Sequence, residues 1–383
     1  MRAESLRLRN VRNHADTVVS GLAPKINVLV GPNGVGKTSV LEALALTTLT
    51  KSFTTHSDAV LIRNGAHTLE VAAQFVSDLG VPQNVTITIE SGPTLRKTIV
   101  AQSERIRAAS DLVGRAPVVI LTPDEKIITG GAPGERRRFL NMVLSQASHA
   151  YLEDELEYRR ALRQRNAILG RQQMRSLGAI KPLLEPWTAL VLKHGARIAK
   201  RRAEFTEEFR PRLLEAYASL SESRETPSLA YRPMGLEFSF ENTSRFDFEG
   251  FFAKEVERVE VEETRRGTTL FGPHRDELML FINPNQEARL YASQGQHKTL
   301  LVAMKLAEFQ YLRDATHETP MLLLDDVFSE LDEERAWQLL ELARSAELGQ
   351  TFITSTEQTR FESLIGSAGR DHRIFRMAPG VIE

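Results

Sequence analysis

Cysteine is absent from the 383 residues. Its absence excludes disulfides, zinc–thiolate sites and thiol nucleophiles, and it suits a reducing compartment. Net charge is nearly absent too, at −1, so affinity for nucleic acid would have to come from local patches and not from the field of the whole molecule. No apolar run approaches the length of a membrane span. The opening residues MRAESLRLRN carry charge throughout, with no apolar core of a secretion signal. The expected location is the cytoplasm. Internal repeats, low-complexity tails and heptad arrays long enough for an extended coiled coil are also missing.

What is present is an ordinary globular composition, 42% hydrophobic and 26% charged. The length suggests one large domain with something inserted. The runs LRLRNV, TVVSGL and INVLVG read as strands. LEVAAQFV, NVTITIE and RKTIVAQ follow as an antiparallel meander. In the middle, Leu144, Tyr151, Tyr158, Leu162 and Leu169 keep one helix face from Glu135 onward, and Trp187, Leu190, Val191 and Ile198 keep one face of a second helix. RQQMRSLGAIKP between them reads as a turn, so the pair is predicted to form an antiparallel arm of roughly 50 Å or less at 1.5 Å per residue. A charged helix is expected near 248 to 264. Strands return in DELMLFIN and EARLYAS.

Gly31, Gly34, Gly36, Lys37 and Thr38 fit G-x-x-x-x-G-K-[ST] between a predicted strand and a predicted helix, the context that a P-loop requires. Asn33 and Ser39 lie within and just after the loop. The glycines let backbone amides close around phosphates, Lys37 reaches the β- and γ-phosphates, and Thr38 ligands Mg²⁺. The expected cofactors are therefore ATP and Mg²⁺. MLLLDD then reads as a buried parallel strand whose carboxyl end delivers Asp325 and Asp326. Asp325 would hold Mg²⁺ through water, and Asp326 would orient or deprotonate the attacking water.

ASQGQHKTL leads into a helix expected to begin near His297, with Leu300, Ala303, Met304, Ala307 and Tyr311 on its apolar face. Ser293, Gln294, Gly295 and Gln296 then stand at its N-terminus, where a hydroxyl and free amides can take an anion. Lys37 already serves this chain's own nucleotide. Either the loop is a polar cap, or each of two chains offers it to the γ-phosphate held by the other, so that ATP joins a two-fold dimer.

P-loop, SQGQ, acidic pair and SELD, in this order, resemble the ABC-type ATPase heads, including SMC-like chromosome proteins. Together with KSF at 51 to 53, TPDE leading to GAPGERRRFLN, YRRALRQRN and FGPHRDEL, they resemble the RecF family of bacterial recombination mediators over nearly the whole chain. The resemblance implies an α/β fold: an ABC-type ATPase head, with a P-loop parallel or mixed sheet plus an antiparallel β lobe, and an inserted helical arm domain. The expected boundaries are 1–125 for the N-terminal part of the head, 126–265 for the arm and 266–383 for the C-terminal part. Ser329 to Asp332 match the D-loop. The resemblance further implies an ATP-dependent homodimer that binds gapped or duplex DNA at junctions, acts on the nucleoid without a membrane partner, works with RecO and RecR, and aids loading of RecA. Where many ABC ATPases carry the longer Glu, this sequence has Asp326, so slow turnover is expected. No glutamine of the Q-loop type stands out. Thr354, Ser355 and Thr356 occupy the region of the switch histidine without an assigned role.

Lys193, Arg197, Lys200 and Arg201 form a basic stripe at i, i+4, i+7 and i+8, read either as a DNA contact or as a solvated face paired with nearby Glu. Arg136 to Arg138 and Arg159, Arg160, Arg163 and Arg165 are two further clusters, the first equally suited to anchoring the arm. Few aromatics interleave these runs, which favours phosphate contact with duplex over base stacking. His274 and Arg275 are either strand-start structure or sensors of nucleotide or neighbour. Two other classes stay open: an ATPase subunit driving a membrane partner, and an SMC-like DNA tether. A nuclease-bearing ATPase class is not expected, because the sequence ends soon after the last predicted head strands.

Overall fold

The helix Lys37–Leu49 has eleven of its thirteen residues buried, because it lies between two sheets. A helix covered on all sides needs no amphipathic stripe, and VLEALALTTL has none. In this computed structural model the described residues are 1–383 except 56, 171–176, 222–224, 236–244, 330–332, 345–347, 358–360, 362–370, 379, 380 and 383. The chain forms two units, Met1–Glu125 with Met304–Glu383, and Lys126–Ala303. Residues 266–303, assigned by sequence to the C-terminal part of the head, group with the second unit.

In the first unit, one sheet is antiparallel, in the order His14–Ser20, Arg2–Val11, Thr68–Val76, Pro82–Glu90, Arg96–Ala101, Glu104–Arg105. The predicted meander is present, with Leu69 opposite Ile89 and Ile87 opposite Ile99. Leu6 and Leu8 face the core while Arg7 and Arg9 face out, the period of two that a half-covered sheet requires. The second sheet runs Val381–Ile382, His372–Ala378, Ile26–Val30, Thr351–Ser355, Met321–Asp325, Val118–Leu121. Its last five strands are mutually parallel. Ile26–Val30 and Val118–Leu121 are buried at every position, as strands covered on both faces are.

The second unit is helical, with a small sheet of Ser228–Arg232, Glu277–Asn283 and Gln286–Glu287. Three expectations change here. The first arm helix is two, Pro133–Ala147 and His149–Gly170; Ser148 is extended, and its hydroxyl accepts from the Tyr151 amide at 3.3 Å, so the apolar period continues across a capped break. The second arm helix is far longer than expected, Leu177–Leu220 with Pro182, Pro186 and Pro211 inside it, about 66 Å at the usual rise. Residues 177 to 182 of the expected turn are helical, and 171 to 176 lie outside the described residues. EARLYAS is not a strand: pairing stops at Glu287, and Ala288–Tyr291 form a helical turn. Contacts of Tyr151 with Arg202, Asp154 with His194 and Arg165 with Thr188 descend along one helix as they ascend along the other. The pair is therefore antiparallel, as expected.

A buried polar network ties this unit together. Arg202, 2% exposed, donates to Asp276 at 2.8 Å, the Pro273 carbonyl at 2.7 Å, Asn141 at 2.9 Å and the Tyr151 hydroxyl at 3.1 Å. Tyr231 donates to the same Asp276. Nearby, His274 takes a hydrogen bond from the Tyr158 hydroxyl at Nδ1, 2.6 Å, and gives one to the Thr269 carbonyl from Nε2, 3.2 Å. Burial lowers its pKa to about 4. The unfolded chain, near 6.5, therefore binds the proton first as pH falls, and stability present above 6.5 is lost toward 4. We expect unfolding in urea to cost about 2 kcal/mol less at pH 5 than at pH 7.5 from this group. His274→Gln should remove that part of the slope; an unchanged slope would assign it to other groups.

Candidate functional site

Strand Ile26–Val30 ends at Gly31, and helix Lys37–Leu49 starts six residues later. Between them the loop turns through Gly34 at φ 79° and Gly36 at φ 109°, a backbone that side-chain-bearing residues resist. The first amides of the helix have no intrahelical acceptor and are open to an anion. Lys37 is largely buried, and its ammonium donates to the carbonyls of Gly31 at 2.7 Å and Pro32 at 2.9 Å. Burial lowers its pKa, while the charges of Asp326 and Asp325 oppose the shift. Asn33 is exposed and Ser39 is buried.

Strand Met321–Asp325 brings Asp325, with Asp326 next in the chain, to the same end of the sheet as the loop after Ile26–Val30. Thr38 Oγ1 donates to Asp325 Oδ1 at 2.9 Å. Thr38 and Asp325 thus offer two hard oxygens to one point, a donor set that suits Mg²⁺. Among the described residues no group of three His, Cys, Asp or Glu could hold a metal by itself, so phosphate and water would complete the shell. Burial raises the pKa of Asp325, opposed by the Thr354 and Thr38 hydroxyls.

Thr354 is the residue that sequence reasoning left without a role. Strand Thr351–Ser355 inserts between the P-loop strand and the acidic strand. The Thr354 hydroxyl donates to Asp325 Oδ1 at 2.8 Å and accepts the Asp326 amide at 2.8 Å. It thereby braces Asp326, whose φ of 51° is left-handed, a conformation that Asp tolerates better than most residues. Ser329 Oγ closes the turn by donating to the Asp326 carbonyl at 2.7 Å. Ser355 accepts the Gly31 amide at 3.3 Å through its carbonyl, and Thr356 is exposed. Asp332, the other D-loop residue, lies outside the described residues.

In the second unit, the SQGQ helix begins at Gln294, three residues before the expected His297. Ser293 and Gln296 make a reciprocal capping box: the Gln296 amide donates to Ser293 Oγ at 3.2 Å, and the Ser293 amide donates to Gln296 Oε1 at 2.6 Å. Gln296 also donates to Glu225. Ser293 therefore caps its own helix. Ser293 and Gln294 remain exposed, and the amides of Gln294 and Gly295 fall outside the box.

The basic clusters separate by burial. Arg136 is buried and donates to Glu277 at 2.8 Å, Arg137 donates to the Asp276 carbonyl at 2.8 Å, and Arg165 is buried against Glu263 at 2.6 Å; these three hold the second unit together. Arg138 and Arg163 are exposed, while Arg159 and Arg160 pair with Glu155 and Glu157. In the stripe, Arg197 meets Asp154 at 3.5 Å and Arg201 meets Glu208 at 3.0 Å. Lys193 and Lys200 are exposed. His274 is enclosed by Tyr158 and Thr269 rather than free to sense a ligand.

A P-loop helix buried between a parallel and an antiparallel sheet, an acidic pair one strand away and a capped SQGQ helix define an ABC-type ATPase head. Residues 3–372 match the family described as RecF/RecN/SMC N terminal domain. The chain is 39% identical over 376 residues to the DNA replication and repair protein RecF of Salinibacter ruber, covering 98% of this chain and 90% of that protein. It is 40% identical over 365 residues to the DNA replication and repair protein RecF of Chloroherpeton thalassium, covering 94% and 96%. It matches the structure of the recombination mediator protein RecF-ATP in the RecFOR pathway with TM-score 0.84 and 25% identity, over 100% of this chain and 96% of that one. An Smc head bound to the C-winged helix domain of ScpA shares the fold, at TM-score 0.55 and 14% identity, covering 100% and 97%. The chain belongs to the RecF family of DNA replication and repair proteins. Among its described residues no helix is long and apolar enough to cross a membrane.

Proposed function

We propose that the chain is an ATP-dependent, dimerising DNA-binding protein of recombinational repair and replication-gap processing. The observation that carries this reading is the 2.9 Å contact of Thr38 with Asp325, which joins the loop that bears Lys37 to the strand that leads to Asp326. Lys37 would bind the β- and γ-phosphates, Thr38 and Asp325 would hold Mg²⁺, whose charge would offset that of the phosphates, and Asp326 would orient the attacking water. Gly31, Asn33, Gly34, Gly36 and Ser39 complete the cradle. Asp326 has a shorter reach than Glu, so hydrolysis is slow and ATP acts as a timer for the dimer.

Ser293, Gln294, Gly295 and Gln296 of one chain meet the γ-phosphate held by the other, with Ser329 and Asp332 crossing the two-fold axis. DNA joining single- and double-stranded segments is the ligand, RecO and RecR are the partners, and RecA loading is the outcome; DNA stimulates the ATPase. Lys193 and Lys200, with Arg197 and Arg201 beside them, contact phosphates. Titration of a labelled gapped duplex with and without ATP and Mg²⁺ tests this. We expect ATP to tighten binding in the wild type and not in Lys37→Met. Equal affinity under all conditions would separate DNA binding from the nucleotide and contradict the proposal.

A further inference from the structure

The sequence RNH at 12 to 14 takes no part in the site as described, yet it touches the phosphate loop from behind. In the first unit the strands Arg2–Val11 and His14–Ser20 join through a turn at Arg12 and Asn13. Asn13 Nδ2 donates to the carbonyl of Gly34 at 3.0 Å, and His14 Nε2 lies 3.1 Å from the carbonyl of Gly36. His14 is buried, and its Nδ1 lies 3.0 Å from the Thr17 hydroxyl. Burial lowers the His14 pKa, so the ring is neutral, with one donor and one acceptor. Gly36 offers only a carbonyl, so Nε2 must be the donor; Nδ1 then accepts from Thr17, which fixes the tautomer. The Gly36 carbonyl already accepts the Val40 amide at 3.2 Å, and His14 supplies its second donor. A Cβ on Gly36 would stand 2.4 Å from His14 Nε2. The contact is therefore packed shut.

A trans peptide is planar, with its C=O and N–H pointing to opposite sides. Pinning the carbonyls of Gly34 and Gly36 behind the loop therefore turns the amides of Val35 and Lys37 to the opposite side, the side on which phosphate sits. From this geometry we infer that Asn13 and His14, with Thr17 behind His14, are positioning residues that aim the phosphate-binding amides of the loop. The inference rests on the nucleotide reading proposed above. It assigns to the first β-hairpin a specific part in nucleotide affinity, acting through the loop and without touching the ligand.

Equilibrium binding of ATP and thermal melting, measured together on the full chain, test it. Asn13 is exposed, so Asn13→Ala leaves the fold intact and is the decisive variant; His14→Leu and Thr17→Val remove the other two links. We expect the ATP Kd to rise about 5- to 10-fold for Asn13→Ala and about 10-fold for His14→Leu, as losing one hydrogen bond in a preorganised cradle does. Melting should stay within a few degrees of wild type for Asn13→Ala and Thr17→Val. His14→Gln keeps an N–H donor and should recover part of the affinity, a rescue that a purely packing role for His14 would not produce. If His14→Leu does not fold, Asn13→Ala and Thr17→Val decide. Wild-type affinity in Asn13→Ala and Thr17→Val, alongside lost binding in Lys37→Ala, would overturn the clamp and leave the P-loop reading standing. Wild-type affinity in Lys37→Ala would overturn the P-loop reading itself.

Discussion

Lys37→Ala is expected to weaken ATP binding by one to two orders of magnitude and to remove measurable hydrolysis. Its ammonium is largely withdrawn from water and donates to the loop carbonyls of Gly31 and Pro32. A β- or γ-phosphate oxygen is a better acceptor than a neutral carbonyl, and a charge-assisted bond of this kind is worth about 1.5–3 kcal/mol, or roughly 10- to 100-fold in Kd. Hydrolysis should suffer more, because the charge that Lys37 faces grows toward the transition state. The fold should not suffer, since among the described residues Lys37 makes no ion pair. Nucleotide titration followed by a phosphate-release assay measures both quantities. Wild-type hydrolysis in this variant would place the chemistry elsewhere.

Arg202→Leu is the change expected to cost most in stability. It would strand the carboxylate of Asp276, which has no exposed surface and receives donors from Arg202, Tyr231 and the Met234 amide. Breaking a buried pair from one side typically costs about 3–5 kcal/mol, because a charge is left without its partner. The loss should appear as a melting temperature lower by roughly 6 °C or more. Asp276→Asn in the same chain should recover part of it, since the amide carries no charge to desolvate. The pair of variants separates the cost of an orphaned charge from the cost of lost packing. A loss below about 1 kcal/mol would mean that water reaches Asp276.

How far these features could be read from the sequence depends on how local each one is. The P-loop is a contiguous signal, and the acidic pair follows a short apolar run that reads as a covered strand, so the placement of Gly31 to Thr38 and of Asp325 was legible. The bridge through Thr354 was not, because it depends on the last parallel strands of the chain inserting beside the first, an order that spacing along the chain does not carry. Arg202 shows a second limit. It stands in KRR beside Lys200 and Arg201, yet one residue along a helix turns the side chain by about 100°, from solvent into the Asp276 network. The long arm helix was underestimated because the polar stretch RQQMRSLGAIKP, which ends in Pro182, read as a turn. Proline removes a backbone donor each time, yet the helix runs on through Pro182, Pro186 and Pro211. Ser293 was legible in both of its readings, and its capping box with Gln296 does not decide between them.

The central claim is that nucleotide bound at Lys37 joins two chains through the loop at Ser293. The most direct test is the mass in solution, with and without ATP and Mg²⁺, of the wild type and of Ser293→Arg. The account predicts a dimer only in the wild type with ATP, and a monomer in Ser293→Arg under both conditions. A monomer in every sample, or a dimer that Ser293→Arg leaves intact, would contradict it.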